Sequence, residues 1–462
     1  VVKKWKAVLA VTAIASTVLA GCSSGSSDPD GSSDTLTVWT FKKEWVPGLE
    51  AAAKAYAEKT GTDFKLDIQY FNEENGIYAS KVAAAARSKT LPDLLTAYGS
   101  SWDYVGGGLY QKLNGKMDDV LGNIPTALVD DFVKLNQATA TTCADNPDCT
   151  YADVKVGDYY TVPQISGATG YFFANKAKLK EAGVDPDTAP ADWAELISEM
   201  EKTKAALGKT GGFAMPLKIP ETGWLWLLRP ALFTQLGAEK LDALFADKSG
   251  AMWEDPAVVK TLENYDELSP YWIDSALQND IIMTDDAFAA GQATWYFGGT
   301  FSLAGLVQKG VDPADLLVFP MPTAAGAEAS QLKLRPWASG QIGISSSTKK
   351  TEAATEFLKF YMSKPAAEAF QEAVHDTPAV ALPADDAAAS NPLVAATDVS
   401  FGDGPDAYNE VKAYGPQCDA AKTLNNQAAV ALTQLIGGKT TPDALAAKLH
   451  DLYKKAWASC AS

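Results

Sequence analysis

Residues 36–70 read LTVWTFKKEWVPGLEAAAKAYAEKTGTDFKLDIQY, and this stretch decides the fold class. Leu36, Thr37, Val38, Trp39 and Thr40 form a short run rich in strand-forming types. Pro47 then opens a helical stretch, because a proline in the first turn sacrifices no helical hydrogen bond. Leu49, Ala52, Ala53 and Tyr56 recur at helical spacing on one face, and Gly61 stops the run. From Phe64 the period falls to two, with Phe64, Leu66, Ile68 and Tyr70 on one side. Strand, helix and strand in succession predict an α/β layer architecture.

Working outward, a second helix is predicted around 78–88, and the run PDLLTAY at 92–98 starts a further strand. The clearest helix covers 193–207. Asp192 and Glu195 make a pair like a capping box, Trp193, Leu196, Ile197, Met200 and Leu207 follow the helical period, and Gly208 ends it. Ala354, Phe357, Leu358 and Tyr361 stripe another helix over 351–362, which Pro365 breaks before a further helix running to 374. These stripes read as core. No internal repeat is visible.

The N-terminus reads as an address. Lys3, Lys4 and Lys6 precede an apolar run from Ala7 to Ala20 that is too short to span a bilayer. The run ends in Leu19, Ala20, Gly21 and Cys22, which resembles a bacterial lipobox. That resemblance implies a signal peptide over 1–21 and lipidation of Cys22. The following segment, SSGSSDPDGSSDT at 23–35, holds no apolar residue and suits a flexible tether over 22–35. The chain is therefore expected at the extracytoplasmic face of a bacterial cell membrane, held there through its lipid.

The 462 residues allow two or three domains at roughly 150 residues each. Hydrophobic residues at 47% exclude a wholly disordered chain. A net charge of −18 disfavours nucleic acid, because an acidic surface repels phosphate. Setting Cys22 aside leaves four cysteines, and in an oxidising compartment an even count implies disulfides. Cys143 and Cys149 flank the short turn-forming loop CADNPDC, so they are expected to pair, leaving Cys418 to Cys460 by exclusion. No metal site is expected, since there is no CxxC and His375 and His450 are the only histidines.

Catalytic motifs mostly fail. Gly437-Gly438-Lys439-Thr440 looks like the tail of a phosphate loop, but Thr433 stands where a glycine is required and the run follows a helix instead of opening one. Gly106-Gly107-Gly108 lacks the dinucleotide spacing, and HExxH and GxSxG are absent. With two histidines a Ser-His-Asp triad is possible but unsignalled. Carboxylate pairs for glycoside hydrolysis stay open because they need only proximity in space. Asp285 and Asp286 are such a pair by sequence, but neighbours on a helix do not face each other and helix capping is the plainer reading.

Five further segments, taken in order, resemble the extracellular solute-binding proteins of carbohydrate ABC transporters, the group that includes maltose-binding protein. They are LTVWTF at 36–41, LPDLLTAY at 91–98, and YYTVPQISGATGYFFANKAKLKEAGVD at 159–185 with PADWAEL at 190–196. DAFAAGQATWYFGGTFSL at 286–303 follows, and then FPMPT at 319–323 with WASGQIGISSSTKKTEAATEFLKFYMS at 337–363. The resemblance implies a two-lobed periplasmic-binding-protein-like fold, each lobe a β-sheet flanked by helices and joined by hinge segments, with the ligand between them. Lobe 1 would take 36–165 and 343–390, and lobe 2 would take 167–340 and 395–462. Gln164, Ser166 and Gly167 would form one crossing and Gly340 would sit at the second.

A sugar offers hydroxyls at its rim and C–H faces on its ring, so a site for it needs flat aromatics and a few placed polar groups. By resemblance the first loop supplies Lys43, Glu44 and Trp45, and the loop after LPDLLTAY supplies Ser101 and Trp102. Trp224, with Trp226 as its competitor, and Phe301 would be further platforms. Trp337 and Ser339 would face the cleft at the second crossing, with Asn425 and Asn426 approaching from the C-terminal segment. Trp39, Trp193, Trp295 and Trp457 read as core. The expected function is capture of a neutral oligosaccharide by a monomer and its delivery to the membrane permease of an ABC importer, with no cofactor and no enzymatic step. An exported glycoside hydrolase and a receptor for a non-sugar solute stand as alternatives.

Overall fold

A computed structural model describes residues 34–73, 76–98, 102–129, 154–155, 157–382, 391–402 and 404–460. The leader, Cys22, most of the tether, Ser101, Cys143, Cys149 and the Trp102 side chain lie outside what is described.

The strands in chain order are β1 (Thr35–Thr40), β2 (Lys65–Tyr70), β3 (Leu94–Tyr98), β4 (Val162–Gly167), β5 (Thr169–Asn175), β6 (Phe213–Ala214), β7 (Trp295–Gly299), β8 (Leu316–Pro320) and β9 (Trp337–Ile344). They form a five-stranded sheet in the order β2-β1-β3-β9-β4 and a four-stranded sheet in the order β6-β7-β5-β8. β1 runs parallel to β2 and β3, whereas β9 runs antiparallel to β3 and β4. In the second sheet β5 lies antiparallel between β7 and β8.

Local chemistry explains the first unit. Leu36, Val38 and Thr40 alternate onto the buried face of β1. The Val46–Thr60 helix turns Leu49, Ala52 and Ala53 inward and ends at Gly61, whose φ of 67° is left-handed and suits glycine. The Trp193–Leu207 helix is capped as read: the Asp192 side chain accepts from the Glu195 amide at 2.9 Å. The Glu195 carboxylate reaches back one residue further than a standard box and accepts from the Ala191 amide at 2.7 Å. Trp193 and Trp295 are core, and Trp39 and Trp457 are half-buried. Cys418 is joined to Cys460, tying the start of the C-terminal segment to the end of the Pro442–Cys460 helix. No described helix is long and apolar enough to cross a membrane.

Among the described residues the chain passes three times between the half built on the first sheet and the half built on the second. Ala168 alone separates β4 from β5. Thr300 fastens this passage, accepting from the Ala168 amide at 3.3 Å and donating to the Ser166 carbonyl at 3.0 Å. The return lies within 321–336, ahead of Trp337, so all of β9 belongs to the first sheet. Gly340 is therefore mid-strand, opposite Tyr98 on one side and Ile165 on the other, and not at a crossing. Its lack of a side chain has a packing cause, since a Cβ there would run into the Trp45 ring. In the third passage, after the Lys364–Val374 helix, Thr377 accepts from the Ser166 amide at 2.9 Å and Ala379 donates to the Gln164 carbonyl at 3.1 Å. Gln164 and Ser166 are thus held between β9 and this passage, and Ser166 also donates to the Pro378 carbonyl at 3.3 Å.

Candidate functional site

The loop after β1 reaches across to the second sheet through Lys42. Its ammonium lies 3.2 Å from Asp376 Oδ2 and 3.4 Å from the Phe301 carbonyl. It also stands 5.2 Å from the Trp45 ring centroid and 5.8 Å from that of Phe301. Asp376 is fully buried. A buried charge is tolerated when it is paired and hydrogen-bonded. Asp376 meets that condition with Lys42, the Trp45 indole N–H at 3.0 Å and the Thr377 amide at 2.9 Å.

This arrangement corrects the expected role of Trp45. The ring is 1% exposed, pinned through its N–H, edge-on to Phe41 at 5.2 Å and pressed on Gly340. It is a core residue with no face open to a ligand. Lys43 is exposed and Glu44 half-buried, both in the short turn Lys43–Trp45. Lys42, one position earlier, is the lysine that bridges.

On the opposite wall Phe301 is half-buried at the start of the Ser302–Gln308 helix. Trp226, also half-buried, meets it edge-on at 5.4 Å. Trp224 is fully buried against Trp253, with ring centroids 5.8 Å apart. Residues two apart on a helix point to nearly opposite sides. In the wide turn Gly223–Leu228 this sends Trp224 inward and leaves Trp226 at the seam, so the competitor takes the position expected of Trp224.

A third group gathers where the sheets meet. Trp337, 8% exposed, donates its indole N–H to Glu410 Oε2 at 3.3 Å. The same oxygen accepts from Thr169 Oγ1 at 2.7 Å. Burial pushes the Glu410 carboxyl up, against the Thr169 bond and the nearby Arg229 charge. Ser339 is buried next to Gly167, where a Cβ on Gly167 would strike it, and its hydroxyl has no partner among the described residues. Asn425 and Asn426 are exposed, and Asn426 donates to the Glu221 carboxylate. Sequence reading missed Lys42, Asp376 and Glu410; each acquires meaning only from a partner far away in the chain.

The carboxylates Asp285 and Asp286 do not converge. Asp285 is 6% exposed, accepts from Tyr296 Oη at 2.9 Å, and is pushed up to about 7 by burial. Asp286 faces outward and pairs with Lys309 at 2.5 Å. Among the described residues no group of three or more His, Cys, Asp or Glu side chains is placed to hold a metal.

Two α/β sheets joined by three passages, with half-buried aromatics and a bridging lysine at the seam, define a two-lobed binding protein. The chain belongs to the bacterial extracellular solute-binding protein family, whose profile it matches over residues 42–368. Among solved structures it resembles one from a study of xylan utilization by Caldanaerobius polysaccharolyticus, with a TM-score of 0.63 and 18% identity over 90% of this chain and 99% of that one. The GacH receptor of Streptomyces glaucescens gives a TM-score of 0.59 and 20% identity over 92% and 98% of the two chains. The maltotriose binding protein of Thermus thermophilus gives 0.58 and 18% over 91% and 99%. A binding protein of Brucella abortus is 25% identical over 226 residues, 48% of this chain and 46% of the relative, so the match spans about half of that relative's length.

Proposed function

We propose that this chain is the receptor of an ABC importer, capturing a neutral oligosaccharide between its lobes and handing it unaltered to a membrane permease. A lipid on Cys22 would hold it at the outer face of the membrane. The observation that carries this reading is the seam. Phe301 and Trp226 from one lobe stand beside Lys42 from the other, so flat rings and a hydrogen-bond donor meet where the lobes meet. Rings cover the C–H faces of a sugar, and polar groups set specificity because each unpaired hydroxyl costs roughly 1–3 kcal/mol. Trp337 would add a third aromatic edge, and the buried Ser339 hydroxyl a further donor. Structural relatives support the ligand class: one is bound with maltotriose, another is in complex with raffinose, and a third was solved with acarbose.

Isothermal titration calorimetry against maltotriose, xylotriose, raffinose and chitotriose, with peptides and polyamines alongside, tests this. At least one sugar is expected to bind near micromolar, about −8 kcal/mol, and to be recovered intact by chromatography. Binding of a peptide or amine with no response to sugars would refute the ligand class. Shortened sugar after incubation would make the chain a hydrolase.

A further inference from the structure

Glu410 lies in a segment, 401–415, to which neither the motifs nor the resemblance gave a role. The chain around it is built to hold it still. The Tyr408 amide donates to the Lys333 carbonyl at 2.8 Å, and the Arg335 amide donates to the Tyr408 carbonyl at 2.9 Å. Arg229, buried beneath, donates to the Glu410 and Lys412 carbonyls at 3.5 and 3.3 Å, with its guanidinium 4.5 Å from the Tyr414 ring centroid. Lys412 is engaged with Asp242 at 2.5 Å. Arg229 and Lys412 are thus engaged with other partners, and no described side chain forms an ion pair with the Glu410 carboxylate.

That carboxylate is asymmetric. Oε2 takes both the Trp337 indole N–H, from the first sheet, and the Thr169 hydroxyl, from the second. Oε1 accepts no hydrogen bond from the described residues, and the residue is half-buried, not sealed. A carboxylate oxygen with open lone pairs beside an indole is suited to a hydroxyl donor on a ligand that also stacks or edges against that ring. The same oxygen repels an anion brought to that position.

We propose that Glu410 selects neutral ligands: Oε2 positions the Trp337 indole, while Oε1 accepts a ligand hydroxyl and turns away ligands bearing a carboxylate there. This rests on the oligosaccharide reading above. Glu410 is thus a specificity residue and also a positioning residue for Trp337.

The test has two arms. In the first, the wild type and the isosteric Glu410→Gln variant are titrated at pH 8 with whichever of maltotriose, xylotriose, raffinose or chitotriose binds, and with its uronic acid derivative. The wild type is expected to prefer the neutral sugar by about tenfold or more, and Glu410→Gln to lose most of that preference, with its affinity for the neutral sugar itself falling about tenfold as the charged acceptor is lost. An undiminished preference in Glu410→Gln overturns the selectivity claim. The second arm needs no ligand. Acrylamide quenching of tryptophan fluorescence is expected to rise in Glu410→Ala, with far-UV circular dichroism unchanged, and that rise is expected to vanish in a Trp337→Phe background. Quenching equal to wild type in Glu410→Ala overturns the positioning claim. If no sugar binds the wild type, the oligosaccharide reading fails and the ligand role of Glu410 falls with it, while the quenching arm still decides whether Glu410 holds Trp337.

Discussion

Replacing Trp45 by alanine separates a core indole from a cleft platform by the size of its effect on stability. The ring is 1% exposed and fills the space over Gly340, so truncation leaves a cavity that mid-strand backbone on both sides cannot readily collapse into. Large aromatic-to-alanine changes in such sites cost about 3–5 kcal/mol. The change also removes the 3.0 Å bond from the indole N–H to Asp376, which leaves that buried carboxylate with Lys42 and the Thr377 amide. A hydrogen bond to a charged group contributes roughly 1.5–3 kcal/mol, but the two losses share one site and do not simply add. The expected total is about 4–6 kcal/mol, or a fall in Tm on the order of 10 °C. Differential scanning calorimetry without ligand measures it, with Trp226→Ala as the comparison. Trp226 is half-buried, so its truncation should move Tm by a few degrees at most. A Trp45→Ala protein within about 1 kcal/mol of wild type would refute the core assignment and return Trp45 to the list of ligand platforms.

Three other outcomes follow from the same geometry. Gly340→Ala should destabilise by about 1–3 kcal/mol through overlap with the Trp45 ring, and pairing it with Trp45→Leu should cost less than the sum of the two, read by guanidinium unfolding. The Cys418–Cys460 link spans a sequence separation of 42, so chain entropy gives it about 4 kcal/mol; Cys418→Ser with Cys460→Ser should lose most of this in a denaturant titration. Burial holds the folded Asp285 carboxyl near 7, above its ordinary 3.8. The folded state then binds the proton more tightly than the unfolded chain, so this residue's contribution is greatest below about pH 4 and declines as pH rises to about 7. Asp285→Asn should therefore gain stability relative to wild type across that window, by up to about 4 kcal/mol, with a constant difference above it. A difference that is flat from pH 4 to 7 would contradict the burial argument.

What the sequence disclosed, it disclosed through local rules. Leu36 and Val38 alternate, Leu49, Ala52 and Ala53 share a helical face, and Gly61 stops the helix because its own φ demands it. Those causes lie within a few residues, and the α/β architecture follows from them. The seam obeys no local rule. Nothing local separates Lys42 from Lys43, because the choice depends on Asp376, which lies 334 residues further along. Nothing in GWLW says whether a wide turn sends Trp224 or Trp226 inward. Glu410 gains its role from Thr169, 241 residues away, and from Trp337, which belongs to the other sheet.

Gly340 differs from its expected place at a crossing for another reason. A glycine beside a strand end signals either freedom of φ or a close approach, and the sequence alone does not separate the two. The distinction is physical: a Cβ at Gly61 would meet nothing within 4 Å, whereas one at Gly340 would meet Trp45 and one at Gly167 would meet Ser339. Gly61 serves conformation, while Gly340 and Gly167 serve packing. The glycines near the crossings are therefore no evidence for a swivel. Rotation of one lobe on the other is to be sought at Ala168, the single residue between β4 and β5, where Thr300 holds the Ser166 carbonyl and both the amide and the carbonyl of Ala168, so turning there works against those bonds.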